Sequence, residues 1–213
     1  MKLLHFESFS RHDLLTRVQQ TRLRGHGQPL VYANARLELV SGVDPATLFP
    51  AQNYILAADY QRLRALYMQF LHDFDQDIFS LDGFLRFWVR YEDGEEEGPI
   101  PLTPPIVEMS RERDGRIVPL INDGMHRVYT AMRLQRNINI IKIYDVPESW
   151  PYYAYARASG WDGVVELDDL PDGFVKKTYR DPENYKGLFR DFNAVFPGVQ
   201  KQRKQSNPSH LRA

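Results

Sequence analysis

The sequence predicts an α/β domain, a small mixed sheet with helices, carrying α-helical extensions at its N- and C-terminal ends. Three observations predict it. Two apolar runs, Ile106–Ser110 and Ile117–Ile121, flank Asp114-Gly115, a pair that suits the positive φ angles of a tight hairpin turn. The second run leads through Asn122-Asp123-Gly124 into Val128, Ala131 and Met132 at helical spacing, and Ile138–Val146 then reads as a strand again. The 213 residues are 43% hydrophobic, 13% aromatic and 26% charged, a mixture able to bury a sizeable core.

Taken in order, Ser10 and Asp13 ahead of Leu14, Leu15 and Val18 predict an N-capped helix that runs toward Gly25-His26-Gly27. Arg36–Val40 alternates charged and apolar residues as a strand does, and Ser41–Pro45 ends it with turn formers. Asp59 is expected as the N-cap of a second helix, with Tyr60, Leu63, Tyr67, Phe70, Leu71 and Phe74 along one buried face. Between Asp82 and Pro105 an aromatic run (Phe84, Phe87, Trp88, Tyr91) adjoins the acidic stretch Glu92–Gly98. Three adjacent glutamates cannot all point at one ion, so this stretch reads as a solvated turn.

Beyond residue 146, the aromatic stretch Trp150–Tyr155 and Trp161 reads as packing of an added segment, with a base-stacking pocket as the alternative. Leu188–Phe196 is expected as a short amphipathic helix ended by Pro197-Gly198, and residues 201–213 as a basic flexible tail.

Zero cysteines exclude disulfides, thiolate zinc sites, cysteine-held iron–sulfur clusters and a cysteine nucleophile. The histidines lack ligand spacing, so a protein-held transition metal is not expected. No apolar run reaches the roughly 20 residues of a membrane span. Glu7, Arg11 and Asp13 interrupt any signal-type segment, so a cytoplasmic chain with no membrane partner is expected. The formal net charge of −1 argues against a uniformly basic nucleic-acid binder. It is unevenly spread: residues 174–213 hold nine Lys and Arg against three Asp and Glu, which leaves eighteen against twenty-five in residues 1–173.

The chemistry concentrates at Asn122–Arg127. A strand-to-helix turn aims the free backbone N–H groups and positive dipole end of a helix at whatever sits above it, and anions suit that place. Gly124 lets the backbone approach a ligand, Asn122 or Asp123 can cap the helix, Arg127 can grip phosphate oxygens, and His126 can donate to phosphate or move a proton. The competing reading is that Asp123 merely caps while His126 and Arg127 pair with local carboxylates.

Asp123-Gly124-Met125-His126-Arg127, placed after Val118–Asn122 on a strand-to-helix turn, resembles the signature of the ParB/sulfiredoxin superfamily. The surrounding order fits. Leu37–Val40, Val43-Asp44-Pro45 and Leu48–Gln52 resemble that family's first strand and proline–glutamine segment, and Pro105-Ile106-Val107-Glu108 precedes the hairpin and motif. The resemblance covers residues 36–146 with an insertion at 82–103. It leaves residues 1–35 as a helical extension and 147–200 as a second extension packed on the domain.

The resemblance implies a nucleotide-binding fold with the phosphates at Asn122, Gly124, Met125, His126 and Arg127. Sulfiredoxins have cysteine where this chain has Met125, so that activity is excluded. ParB partition proteins are CTP-binding DNA clamps with a helix-turn-helix region, which residues 147–213 do not resemble. Free serine kinases of the superfamily carry Asp-Gly-His-His-Arg, and relatives in DNA-modification systems carry Asp-Gly-Gln-His-Arg. The kinase likeness implies Asp123, His126 and Glu108 as catalytic residues, ATP or ADP (with CTP as the other candidate) as cofactor, and Mg2+ held with the nucleotide near Asp123. A small hydroxyl-bearing substrate such as a free amino acid follows. Lys176, Lys177 and Arg180 are candidates for phosphate or nucleic-acid contacts.

The alternative class is a nucleotide-responsive regulatory or DNA-processing protein that uses the basic C-terminal segment. Titration with duplex DNA separates the two. A nucleic-acid binder loses affinity steeply with salt and on removal of residues 201–213, whereas a small-molecule kinase is indifferent to both.

Overall fold

The computed structural model describes residues 1–198, so the expected tail at 201–213 lies outside the described residues. The elements are β1 (Lys2–Phe9), α1 (Arg11–Gln19), β2 (Arg36–Val43), β3 (Tyr54–Leu56), α2 (Ala57–Phe74), β4 (Phe84–Arg90), β5 (Glu96–Leu102), β6 (Ile106–Arg111), β7 (Ile117–Asp123), α3 (Met125–Arg133), β8 (Ile138–Tyr144), β9 (Val165–Leu167) and α4 (Phe192–Val195). The α/β class is as the sequence predicts.

The central sheet has the order β2-β8-β6-β7. Strands β6 and β7 form the expected antiparallel hairpin, β8 runs parallel to β6, and β2 closes the edge antiparallel to β8. Its faces explain the near-continuous apolar run of β8. Ile138 and Ile140 pack with Leu66, Tyr67 and Phe70 of α2 and Val128 and Ala131 of α3. On the opposite face, Ile141 and Ile143 pack with Leu14 and Val18 of α1 and with Leu188 and Phe196 near the C-terminal end. A strand covered on both faces needs apolar residues of both parities.

The N-terminal segment, expected as helical, also supplies a strand. β1 pairs antiparallel with β4, and β4 with β5, so the first residues and the 82–103 insertion make a separate three-stranded sheet. Of the charged residues that break any signal-type pattern, Glu7 is a cross-strand partner here, while Arg11 and Asp13 open α1. Glu7 faces Arg86 at 2.6 Å, and Phe9 stacks on Phe84. Part of the acidic stretch continues into β5, with the turn confined to residues around Gly94.

The helix starts divide. Ser10 caps α1 in a reciprocal box with Asp13, whose pKa is lowered chiefly by that side-chain hydrogen bond, but the helix ends at Gln19 rather than near Gly25. At α2 the N-cap is Leu56 without a side-chain cap, so Asp59 sits inside the first turn and only complements the helix dipole. The buried face is Tyr60, Leu66, Tyr67 and Phe70, while Phe74 is partly exposed.

The C-terminal helix shrinks to the four residues of α4, because residues 185–190 take a 3-10 turn and then extend. There the Arg190 backbone bridges Leu23. The aromatic stretch packs as expected, with Tyr152 and Ala154 fully buried and Tyr153 against Tyr179, Tyr185 and Phe189. Among the described residues no helix is long and apolar enough to cross a membrane.

Phe70 is fully buried where α2 meets the β1-β4-β5 sheet, touching Phe6 and Phe87. Phe70→Ala should cost about 3–5 kcal/mol in denaturant unfolding. Phe74→Ala, at a site 36% exposed, should cost far less. Equal losses would contradict this packing.

Candidate functional site

The motif stands where β7 ends and α3 begins. Gly124 is the helix N-cap with φ 87°, a left-handed conformation costly for other residues. A side chain at this position would also push the Arg127 guanidinium aside. A Cβ there would lie 2.5 Å from the Arg127 guanidinium, which folds back over the turn. Arg127 Nη2 donates to Asp123 Oδ2 at 2.6 Å, and its buried Nε meets no acceptor among the described residues. Neither Asn122 nor Asp123 caps the helix, contrary to expectation, because their side chains are engaged elsewhere.

The result is a concentration of positive character. The Arg127 cation sits at the positive end of the α3 dipole, an arrangement that one carboxylate offsets only in part. His126 belongs to the same turn, with Nε2 3.7 Å from Asp59 Oδ2 on α2. Asp123 remains 46% exposed and can still reach a ligand.

Two cavities share this turn as a wall. One, of about 420 Å³, lies between α2 and the β4–β5 insertion; Leu66, Phe87 and Leu102 line it together with Asp59, Glu97 and Asp123 to Arg127. At its edge the Tyr91 hydroxyl donates to Glu97, which together with partial burial pushes the phenol up to about 12. The other, of about 260 Å³, is lined by Gln52, Asn122–His126, Tyr153 and Lys177.

Glu108, expected beside the motif as a second acid, is instead locked inside the protein. Arg190 holds it through two bonds, Nε to Oε1 at 2.8 Å and Nη2 to Oε2 at 3.0 Å. Tyr32 and Asn122 each donate to Oε1 at 2.5 Å. With 2% of its surface exposed and both oxygens committed, it is no free base. Burial would lower the Arg190 pKa, but the adjacent Glu108 charge outweighs this and the net direction is upward. Burial, followed by that same charge, raises Tyr32 well above the usual phenol range. The remaining guanidinium hydrogens reach the carbonyls of Trp150, Pro151 and Leu188.

The three C-terminal cations separate. Lys177 reaches the smaller motif cavity, with Nζ donating to the Tyr152 hydroxyl at 3.2 Å and to that of Tyr153. Lys176 is exposed and lines neither motif cavity. Arg180 is pinned to Glu112 at 2.9 Å and to Ser110, beside a different groove of about 770 Å³. Among the described residues no group of three or more His, Asp or Glu could hold a metal by itself.

Sequence reasoning missed Asp59 as a cavity residue, because its place near a helix start suggested a cap. In the sequence Arg190 reads, like Lys176, Lys177 and Arg180, as a phosphate or nucleic-acid contact or part of a solvated basic face, since an arginine in a basic segment gives no sign that it will be buried against Glu108. Gln52 had a signal in the Pro50-Ala51-Gln52 segment.

A small α/β domain with an Asp-Gly-X-His-Arg turn at a helix start is the class that fold and site define. The family model of the ParB CE domain matches residues 13–165, most of the chain, and the chain belongs to that family. No curated protein and no solved structure matches it. The motif, Asp59 and Glu108 fall inside the matched segment, whereas Lys177 and Arg190 fall beyond it.

Arg190→Met should leave the Glu108 carboxylate buried without its counter-charge and cost about 3–5 kcal/mol in denaturant unfolding. A loss below about 1 kcal/mol would contradict the network.

Proposed function

We propose that the chain binds a nucleotide, ATP or ADP, with its phosphates over the start of α3, and transfers the terminal phosphoryl group to a small hydroxyl-bearing molecule such as a free amino acid. The observation that carries this reading is the Arg127 guanidinium folded over Gly124, with a buried Nε that has no acceptor among the described residues, at the positive end of a helix. Such a site is completed by an anion, and a phosphate chain supplies several acceptor oxygens at once. CTP, which the family resemblance also admits, carries the same phosphates.

In the proposed reaction the substrate hydroxyl oxygen attacks the terminal phosphorus. A new P–O bond forms as the bond to the bridging oxygen breaks, and the nucleotide leaves with one phosphate fewer. The hydroxyl proton passes to a carboxylate, and Asp123 is the candidate, since Arg127 holds Oδ2 and orients the group. Arg127 and His126 offset charge on the transferred oxygens. Mg2+ fits this donor set as an ion held by Asp123 and the phosphates jointly, as is usual for that cation. When bound it supplies charge neutralisation on the phosphate oxygens. Asp59 stands 3.7 Å from His126 Nε2 and lines the same cavity.

Incubation of the protein with ATP or ADP, Mg2+ and a panel of free amino acids, followed by 31P NMR, should show a new phosphomonoester. An untouched nucleotide would defeat the phosphotransfer reading. In calorimetry His126→Ala should weaken nucleotide affinity about tenfold or more, corresponding to roughly 1.4 kcal/mol. Asp123→Asn should bind nucleotide and lower turnover by about 10²–10⁴. Full activity in Asp123→Asn would remove that residue from the reaction.

A further inference from the structure

Lys177 stands in an unusual setting. It is part-buried, and its partners are two tyrosine hydroxyls, Tyr152 at 3.2 Å and Tyr153, both neutral oxygens. The Nζ also lies 4.6 Å from the centre of the Tyr153 ring. No carboxylate forms an ion pair with it among the described residues. An ammonium has three donors, and the two hydroxyls account for two of them. The third is left at the wall of the cavity of about 260 Å³ that also holds Gln52, Asn122 and the motif turn. Withdrawing a cation from water without a counter-charge is costly, so a ligand that brings a negative group to this position gains what the protein leaves unsatisfied.

The arrangement of the two cavities says which ligand that is. In-line phosphoryl transfer places the attacking oxygen and the leaving oxygen on opposite sides of the phosphorus. Asp123, Gly124, Met125 and His126 line both cavities, so a phosphoryl group at this turn has a cavity on each side. The larger cavity has an apolar floor of Leu66, Phe87 and Leu102 for a base and the Asp59 and Glu97 carboxylates to accept from ribose hydroxyls. The smaller one has room for roughly nine waters at about 30 Å³ each, which is the scale of a molecule with seven to nine non-hydrogen atoms.

We infer that the smaller cavity is the acceptor site and that it takes a small hydroxy acid or hydroxy amino acid, whose carboxylate Lys177 binds while its hydroxyl reaches the phosphoryl group at the motif turn. This rests on the phosphotransfer reading above and adds the substrate class. Gln52, whose Nε2 donates to the Tyr54 carbonyl at 2.8 Å, presents its side-chain oxygen as a further acceptor for a substrate ammonium or hydroxyl. Since Lys177 lies beyond residues 13–165, acceptor choice resides in the segment that follows the family domain.

The test uses the full chain saturated with Mg2+ and an ATP analogue whose β–γ bridging oxygen is a methylene, so that no transfer consumes the probes. Calorimetric titrations with L-serine, L-homoserine and glycolate are compared with L-serine methyl ester, which keeps the hydroxyl and ammonium but lacks the carboxylate charge. At least one acid should bind about tenfold or more tightly than the ester. Lys177→Met should abolish that preference and leave the analogue's affinity within about twofold, and Lys177→Arg should retain the preference for acid. Equal binding of acid and ester would overturn the inference. So would binding of none of the acids, or a Lys177→Met protein that loses the nucleotide analogue instead of the acid. Failure of the analogue to bind the unaltered chain is a separate result that defeats the nucleotide reading. The acid and ester titrations are then run without it and judge the cavity on their own.

Discussion

A cation folded over a helix start is the constraint on which this site depends. Arg127 belongs to the first turn of α3, where a positive side chain is electrostatically out of place, yet its guanidinium lies across Gly124 and is nearly buried. Two conditions make this conformation available. Residue 124 has no Cβ to block the guanidinium, and Asp123 offers one carboxylate at the correct height. Glycine is therefore required for its φ angle, and its absent side chain is what lets the guanidinium rest here. The compensation leaves the buried Nε without an acceptor among the described residues, and the proposed anion binding rests on that.

Behind the turn, a second electrostatic arrangement holds the strand that presents it. Asn122 donates through Nδ2 to Glu108 and Tyr32, and Arg190 closes the cluster from the C-terminal segment. The backbone of residue 122 is also tied outward, since the Tyr152 hydroxyl donates to its carbonyl at 3.4 Å and Lys177 donates to that hydroxyl. The segment after residue 146 is thus part of the site's construction. It buries the rear of the motif with Arg190 and edges the smaller cavity with Tyr153 and Lys177.

What the sequence shows and what it conceals divide along the range of the interactions. The β6–β7 hairpin, the Gly124 turn, α3 and the doubly apolar β8 are all written in residues close along the chain. Turn chemistry and periodicity suffice to find them. β1 escapes such a reading because its charged residues find partners on β4, 79 positions away in the case of Glu7 and Arg86. Asp59 looks like a cap because acidic residues favour both the cap and the first turn, and only the two helical residues Ala57 and Ala58 ahead of it separate the two. Glu108 is the most instructive. Its place before the hairpin and motif agrees with a catalytic acid, and what removes it is an arginine 82 residues later. The C-terminal helix is cut short for the same reason, since Arg190 leaves its helical register to reach that carboxylate and bridge Leu23.

The most direct measurement is a crystal structure of the full chain with Mg2+ and ADP. The account predicts phosphate density within hydrogen-bond reach of the backbone N–H groups of residues 125–127 and of Arg127 Nε, with the nucleoside between α2 and the β4–β5 hairpin. Phosphate density anywhere else, such as the groove beside Arg180, with the motif turn left to solvent, would contradict it.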